Sequence, residues 1–311
     1  MRARSVVGPL VAALCLLVAS ACGGGGGGTE VASCDRRYGE PSAAPVTDQA
    51  LREISGIVAS RRNGDTYWVH NDSGDTARIF AIGGDGRTRA TLSLAGATAV
   101  DWEDIAIGPG PKRWQQYLYL ADIGDNLGTR PTVQVYRVPE PEVDPDEVVV
   151  DELEGAVRLS LRYPDGPHDA EALLVDPRTG DLVVITKTSD GGAQPAYRAR
   201  APFAATGDTA LERFATVRTG PTITGAITAA DLDRAGTRLI LRTYASVRVV
   251  AGTSETPLAA LLERGPGTVT CRPPAPVEVQ GEAIAFEPDG RGFASVSEGG
   301  APVLRRYAPA P

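Results

Sequence analysis

The chain has 311 residues, with 39 acidic and 31 basic side chains and a formal net charge of −8. This length suffices for one large domain or two small ones. The acidic balance argues against nucleic acid as a partner and against direct adsorption on anionic lipid, because both of those surfaces are themselves negatively charged.

The first 21 residues predict a signal peptide, since a short positive start is followed by an apolar run that is short for a membrane span. The run ends in Val-Ala-Ser-Ala before Cys22, which resembles the lipobox of bacterial lipoproteins. The resemblance implies that Cys22 is acylated, palmitate included, and anchors the protein on the extracytoplasmic side of the cell membrane. The alternative is an ordinary signal peptide that is cut after Ala21.

Residues 22–40 are predicted to be the lipidated cysteine and a flexible tether, because six glycines follow Cys22. Two cysteines remain after this point, Cys34 and Cys271. An exported chain folds in an oxidising compartment, which favours a disulfide between them. Two unrelated thiols are the alternative.

The remaining segment, residues 41–311, contains a repeat. Each unit opens on a small or acidic residue, continues as an apolar strand and reaches a turn before a second and a third strand. The opening residues are Ser55, Glu103, Glu171, Thr228 and Glu282. Their spacings of 48, 68, 57 and 54 residues suit one four-stranded antiparallel blade per unit. The sequence therefore predicts an all-β fold, a β-propeller of five blades, with six blades as the alternative.

Two segments complete the predicted architecture. The acidic, proline-bearing residues 139–154 lie in the longest step and are interpreted as an exposed loop. The last unit ends at Tyr307 without a fourth strand, and residues 41–47 precede the first unit without a blade of their own. We expect this N-terminal segment to supply the missing strand and close the ring, which would put Cys34 and Cys271 in neighbouring blades.

Polar side chains gather at one end of the predicted blades. The first strand of an antiparallel pair starts beside the end of the second, so both contribute to one rim. Because innermost strands line the channel of a propeller, these side chains should converge on one acidic funnel. The predicted rim consists of Glu103, Glu171, Glu282, His70, Asp72, Asp122, Lys187, Arg242 and Glu298, with Asp101, Asp104 and Asp169 beside them.

Two rim loops each place two carboxylates three residues apart around a glycine: Asp72 with Asp75, and Asp122 with Asp125. Such oxygens can bind a hard cation, so these four are candidate metal ligands and Ca²⁺ is the candidate cofactor. The alternative is that aspartate, asparagine and glycine simply form tight turns between strands.

The three glutamates at equivalent positions need compensation if they are buried together, by a cation, by protons or by hydrogen bonds. Lys187 and Arg242 lie on the same predicted face and could pair with them. The alternative is that each glutamate caps backbone amides of the adjacent blade.

No motif names a reaction. Two histidines are too few for a three-histidine metal site, and the sequence contains neither a G-x-S-x-G nucleophile elbow nor a phosphate-binding G-x-x-x-x-G-K-[ST] loop. An enzyme built on this rim would use metal-bound water with carboxylate acid–base help.

Three of the unit openings, W-E-D-I-A at 102–106, A-E-A-L at 170–173 and G-E-A-I-A at 281–285, are similar to the E-G-[IL]-A openings of the esterase-like phytase group of propellers. With residues 120–126 and 135–140, they resemble uncharacterised secreted propellers of actinobacteria. The likeness spans about residues 50 to 308 and implies calcium and phosphate-ester hydrolysis. Ser55 and Thr228 stand where a glutamate would be expected, and the rim has few basic residues to hold a polyphosphate.

Two hypotheses of function follow. The first is a monomeric, membrane-anchored binding module whose acidic funnel holds a cation, a small polar ligand or a loop of a cell-surface protein. The second is a calcium-dependent hydrolase of phosphate esters or lactones.

Overall fold

The computed structural model describes residues 32–33, 38–188, 192–203, 206–220, 223–274 and 281–310. The predicted signal peptide, Cys22 and Cys34 lie outside these residues. The inner strands and their partners in the first two repeat units are β3 (Ile54–Ala59), β4 (Thr66–Asn71), β5 (Arg78–Gly83), β6 (Thr88–Leu94), β7 (Trp102–Pro109), β8 (Gln116–Asp122), β9 (Val133–Pro139), β10 (Val149–Leu153) and β11 (Val157–Arg162). They follow two short N-terminal strands, β1 (Ala32–Ser33) and β2 (Ser42–Pro45).

The later units contain β12 (Ala170–Val175), β13 (Leu182–Thr186), β14 (Ala193–Ala199), β15 (Asp208–Ala210), β16 (Glu212–Arg218), β17 (Ile227–Leu232), β18 (Arg238–Thr243), β19 (Ser246–Ala251), β20 (Val269–Arg272), β21 (Gly281–Phe286), β22 (Phe293–Ser297) and β23 (Val303–Tyr307). One short helix, α1 (Leu258–Glu263), and a 3-10 turn at Ile223–Gly225 lie between strands. Within the described part of the chain, no helix is long and apolar enough to cross a membrane.

The strands form five sheets arranged in a ring, which confirms the predicted β-propeller. From the channel outward, blade 1 is β3-β4-β5-β6, blade 2 is β7-β8-β9-β11, blade 3 is β12-β13-β14-β16, blade 4 is β17-β18-β19-β20 and blade 5 is β21-β22-β23-β2. Each innermost strand contacts the innermost strands of both neighbouring blades. Buried apolar side chains from adjacent blades pack into shared clusters, so the hydrophobic core lies between the blades.

The N-terminal segment closes the ring as expected. Strand β2 pairs antiparallel with β23, with Ser42 opposite Arg306. Just before it, Tyr38 is buried and packs edge-on against Phe293, at a ring-centroid distance of 5.0 Å. The Tyr38 hydroxyl also accepts a hydrogen bond from Arg238 Nη2 at 2.9 Å. Blade 5 therefore unites an N-terminal strand with three C-terminal ones.

Several blades have their outer edge covered by a segment of the next blade. In parallel pairs, β10 adds to β6, β15 adds to β11 and β1 adds to β20. Each added strand precedes the fourth strand of the following blade. Helix α1 has the equivalent place in blade 4 and packs against β16 of blade 3. These segments occupy edges that would otherwise be open to pairing with another chain.

The interpretation of residues 139–154 as an exposed loop is wrong. The segment includes β10, which adds to blade 1. It also includes Glu140, which is only 2% exposed and accepts hydrogen bonds from Ser60 Oγ at 2.5 Å and Trp68 Nε1 at 3.1 Å. Because both attachments lie in blade 1, the segment ties blade 2 to its neighbour.

The pairing of Cys34 with Cys271 stays a prediction, because Cys34 lies outside the described residues. Cys271 is buried in β20, and the parallel register of β1 sets Ala32 opposite Cys271. The chain therefore passes beside Cys271 two residues before Cys34.

Candidate functional site

Each innermost strand begins with a β-bulge. The pairing register slips by one residue at the same place in all five blades, for example between Trp102 and Asp104 in blade 2. The residues inside these bulges are Ser55, Glu103, Glu171, Thr228 and Glu282, the five opening residues of the sequence repeat. A bulge leaves its extra residue outside the ladder and re-aims that side chain. The repeat in the sequence thus marks a repeated irregularity of the backbone.

Five carboxylates from three blades converge beside these bulges: Asp72, Asp101, Glu103, Asp169 and Glu171 form what we call the acidic cluster. Carboxylate oxygens of Asp72, Asp101 and Glu103 all lie within 4.8 Å of one another, and so do those of Glu103, Asp169 and Glu171. Glu103 belongs to both groups and links them. Such a pair of groups offers several oxygens to one cation.

Gly124 makes room for the acidic cluster. A Cβ atom at this position would lie 2.3 Å from Glu103 Oε1 and 2.4 Å from Asp101 Oδ2. The next residue, Asp125, donates its backbone N–H to Asp169 Oδ1 at 2.8 Å. The loop after β8 therefore supports both carboxylate groups with its backbone.

Burial and mutual repulsion raise the pKa values in the cluster. Burial, reinforced by Glu171, raises the pKa of Glu103 well above its usual range. Burial raises the pKa of Glu171 to about 7, against the opposing effect of Lys187. Burial, with Asp72 as the next cause, raises the pKa of Asp101 to about 6. Carboxylates in such surroundings favour either protons or a bound cation.

Lys187 supplies a positive charge to one of the two groups. Its Nζ contacts Glu171 Oε1 and lies 5.4 Å from the ring centroid of Tyr244. Burial lowers the pKa of Lys187, but the ion pair with Glu171 outweighs it, and the net result is a raised pKa. Among the residues that the structure describes, the group of Asp72, Asp101 and Glu103 has no basic side chain within 4.0 Å.

Blade 5 contributes Glu282 and Glu298 to the same mouth. Burial raises the pKa of Glu282 to about 8, with Glu298 as the next largest cause. Glu171 and Asp72 raise it further, so Glu282 is in electrostatic contact with the acidic cluster.

Arg242 of blade 4 lies close to this end of blade 5 and is only 2% exposed. Its guanidinium packs against Gly281, where a Cβ atom would lie 2.0 Å from Nη2. Glycine at the start of β21 is therefore what allows this arginine to approach the mouth. A buried guanidinium here partly offsets the charge of the carboxylates.

His70 does not open to the funnel. Its ring is fully buried and lies edge-on to Trp102 at a centroid distance of 5.6 Å. Burial lowers the pKa of His70 to about 4, so the ring is neutral at physiological pH. A Cβ atom at Gly56 would lie 2.2 Å from its Nε2, which shows how tightly the ring is enclosed. Its position at the end of β4 led us to expect it on the rim.

Three of the four metal candidates have partners of their own. Asp75 forms an ion pair with Arg78 at 2.8 Å, and Asp122 is fully buried with Arg130 Nη2 at 2.9 Å. Asp125 accepts two backbone N–H groups of its own turn, at 2.9 and 2.8 Å. These hydrogen bonds match the alternative in which aspartates form tight turns.

Capping of neighbouring blades, the alternative considered for the glutamates, is performed by two buried aspartates. Asp104 Oδ2 accepts the N–H of Leu173 at 2.8 Å, and Asp231 Oδ2 accepts that of Phe286 at 2.8 Å. Both bonds cross from one innermost strand to the next. Asp231 had no signal in the sequence beyond being a charged residue within an apolar strand, and that signal could have identified it.

We expect the metal-free protein to lose stability as pH rises from about 6.5 to about 8.5. Glu171 and Glu282 have pKa values of about 7 and about 8 and retain protons that the unfolded chain releases near pH 4.5. The folded state thus binds more protons, and the free energy of unfolding falls through this window. His70 acts in the opposite direction, but only below about pH 6.5.

Thermal melting in the presence of a chelator measures this dependence. Glu282→Gln should flatten the profile near pH 8. A melting temperature that rises with pH across the window would contradict the assigned shifts.

No protein-family model matches the sequence, and no curated protein matches it. Among solved structures, the hydrazine synthase of Kuenenia stuttgartiensis is similar, with a TM-score of 0.44 and 12% identity, over 91% of this chain and 99% of that chain. A similarity of this extent says nothing about what this chain binds or converts.

Proposed function

We propose that this protein is a membrane-anchored binding module whose acidic cluster holds a divalent cation, Ca²⁺ in the first place. The observation that carries this proposal is the pair of carboxylate groups that share Glu103. Two oxygens bound to one Ca²⁺ at about 2.4 Å can lie at most about 4.8 Å apart. The oxygens within each group lie within 4.8 Å of one another.

The charge balance of the funnel supports the same proposal. Lys187 contacts Glu171, which makes the group of Asp72, Asp101 and Glu103 the preferred cation site. Burial raises the pKa of each of these three carboxyl groups. A divalent cation favours the ionised carboxylates, so its binding should displace protons from the cluster.

A cation held by three carboxylates can also recruit the module's ligand. Ca²⁺ takes about six to eight oxygen ligands, and the preferred group supplies three carboxyl groups. A polar ligand, or a loop of a partner protein, would complete the coordination with its own oxygens. The site would then recognise oxygen-rich groups through the ion rather than through basic side chains.

The first experiment is metal analysis of the purified protein together with melting curves with and without a chelator. About one equivalent of calcium is expected, and calcium at 100 times its dissociation constant should stabilise the fold by about 2.7 kcal/mol. No bound metal and an unchanged melting temperature would sink the proposal and leave the glutamates with a structural role.

Gly124→Ala should weaken calcium binding about tenfold or more while the protein still folds. The new methyl group would displace the ends of the Glu103 and Asp101 side chains, which can rotate away but then no longer converge. Isothermal titration measures the affinity. Gly64→Ala is the matched control, since a Cβ atom there meets nothing within 4 Å. Equal affinities of the two variants would argue against this site.

A calcium-dependent hydrolase of phosphate esters or lactones is the second candidate. It is favoured by the pKa of about 7 for Glu171, which suits a general base beside a bound cation at neutral pH. Turnover that disappears on chelation, while the melting curve still shows a folded protein, would support it. Turnover that persists in Glu171→Gln would exclude this role.

The membrane anchor is proposed from the sequence before the propeller. Cys22→Ser should move the protein from the membrane fraction to the soluble or secreted fraction, because the acyl chains are lost. Detergent phase partitioning and intact mass of the mature protein measure this. An unaltered chain without acyl mass, cut after Ala21, would favour the ordinary signal peptide instead.

A further inference from the structure

We infer that a cleft between blades 2 and 3 binds a small organic anion with a flat apolar body, such as an aromatic carboxylate. The cleft has a volume of about 450 Å³, within the range of small-molecule sites. Its lining includes Pro109, Pro111, Tyr119, Arg137, Pro202 and Phe203.

The cleft lies at the opposite ends of the blades from the acidic cluster. Pro109 ends β7, whereas the bulge residue Glu103 lies near the start of that strand. Thr179 and Gly180, in the turn between β12 and β13, form part of the other wall. The site is therefore separate from the funnel and does not depend on the proposed cation.

The walls of the cleft are apolar and held by the core. Phe203 packs against the buried cluster that blades 2 and 3 share. Gly180 brings blade 3 close to blade 2, since a Cβ atom there would lie 3.8 Å from Pro109 Cγ. Proline rings and a partly buried phenyl ring form a preformed apolar surface that suits a flat ligand.

Arg137 gives the cleft its charge. It lies opposite Tyr119 in the β8–β9 pair, and its Cζ is 5.8 Å from the ring centroid of Tyr117. Within the described ranges, no carboxylate lies within 4.0 Å of its guanidinium. A guanidinium in an apolar cleft favours an anion, and its planar donors match a carboxylate.

The acidic groups near this cleft have other partners. Asp181 accepts the N–H of Ala201 at 2.9 Å and lies 3.9 Å from Arg198. Glu212 contacts Arg198 and is 3.0 Å from Arg200. The charge that an incoming ligand meets is therefore positive.

The test is a titration of the purified protein with 2-naphthoate and with its neutral analogue 2-naphthamide. We expect the anion to bind at least about tenfold more tightly than the amide, and Arg137→Gln to remove that preference. Ala201→Trp, which fills the cleft, should abolish binding of both. Arg158→Gln, an exposed arginine of the same blade, is the matched control and should bind as the unaltered protein does.

Absence of binding, equal binding of the two compounds, or an unchanged preference in Arg137→Gln would overturn the inference. Melting curves establish that each variant is folded. Naphthoate binding should persist in the presence of a chelator and in Glu103→Gln, so failure at the funnel and failure at this cleft are distinguishable.

Discussion

Replacing Glu103 by glutamine will abolish calcium binding and, in the absence of calcium, will raise the melting temperature. Glu103 is common to both carboxylate groups, so its loss leaves each with two carboxyl groups. We expect the dissociation constant to rise by about a hundredfold or more, since Ca²⁺ sites lose affinity with ligand charge. Without calcium, the same change removes a buried carboxyl group whose pKa is raised by burial and by its neighbours.

The two effects have opposite signs, which makes the prediction sharp. The unaltered protein should melt higher in saturating calcium, and the variant should melt higher in chelator. Glu152→Gln is the control, because Glu152 is exposed on β10 and its loss changes the net charge equally. A variant that binds calcium normally, or that is destabilised in chelator, would show that Glu103 has a structural role instead.

Removing the closing segment will have the largest effect on stability. A chain that starts at Asp48 lacks β2 and Tyr38, and it exposes the edge of β23 and the ring of Phe293. Loss of a buried aromatic side chain alone costs about 3 to 5 kcal/mol. At about 2 to 4 °C per kcal/mol, the melting temperature should fall by more than about 10 °C, or the cooperative transition should vanish.

Single substitutions separate the contributions to this effect. Tyr38→Ala should account for a large part of it, whereas Glu40→Ala, on an exposed side chain nearby, should change little. Cys34→Ser in the longer chain reports what the predicted disulfide adds. Equal melting temperatures for the long and short chains would mean that the ring does not need its N-terminal strand.

The fold was predictable because the repeat leaves the same mark in every blade. A small or acidic residue before an apolar run recurs at Ser55, Glu103 and Glu171, and each of these is the extra residue of a bulge. Tight turns and apolar alternation then give the hairpins. The missing fourth strand of the last unit pointed to residues 41–47, and Ser42–Pro45 supply it.

The added edge strands were not predictable. Residues 149–153 and 208–210 are short and largely exposed, so they have no apolar periodicity to report a strand. Their pairing depends on the exposed edge of a neighbouring blade, which lies about 50 residues away in sequence. Propensity along one segment contains no information about such a partner.

The metal candidates failed to group for a related reason. Local spacing selected pairs within one loop, such as Asp122 and Asp125, whereas the acidic cluster joins Asp72, Asp101 and Asp169 from three blades. The space for it comes from Gly124, whose lack of a side chain had been assigned only to turn formation. Contacts between loops are set by the closure of the ring and not by neighbours along the chain.

The edge strands exchanged between neighbouring blades have a consequence for how the molecule comes apart. In open repeat arrays, terminal units fray first because each contacts one neighbour only. Here β10 joins blade 2 to blade 1 and β15 joins blade 3 to blade 2, so opening one blade strips the edge of another. Local unfolding of a single blade is therefore costly, and amide protons of all five innermost strands should exchange through one shared global opening.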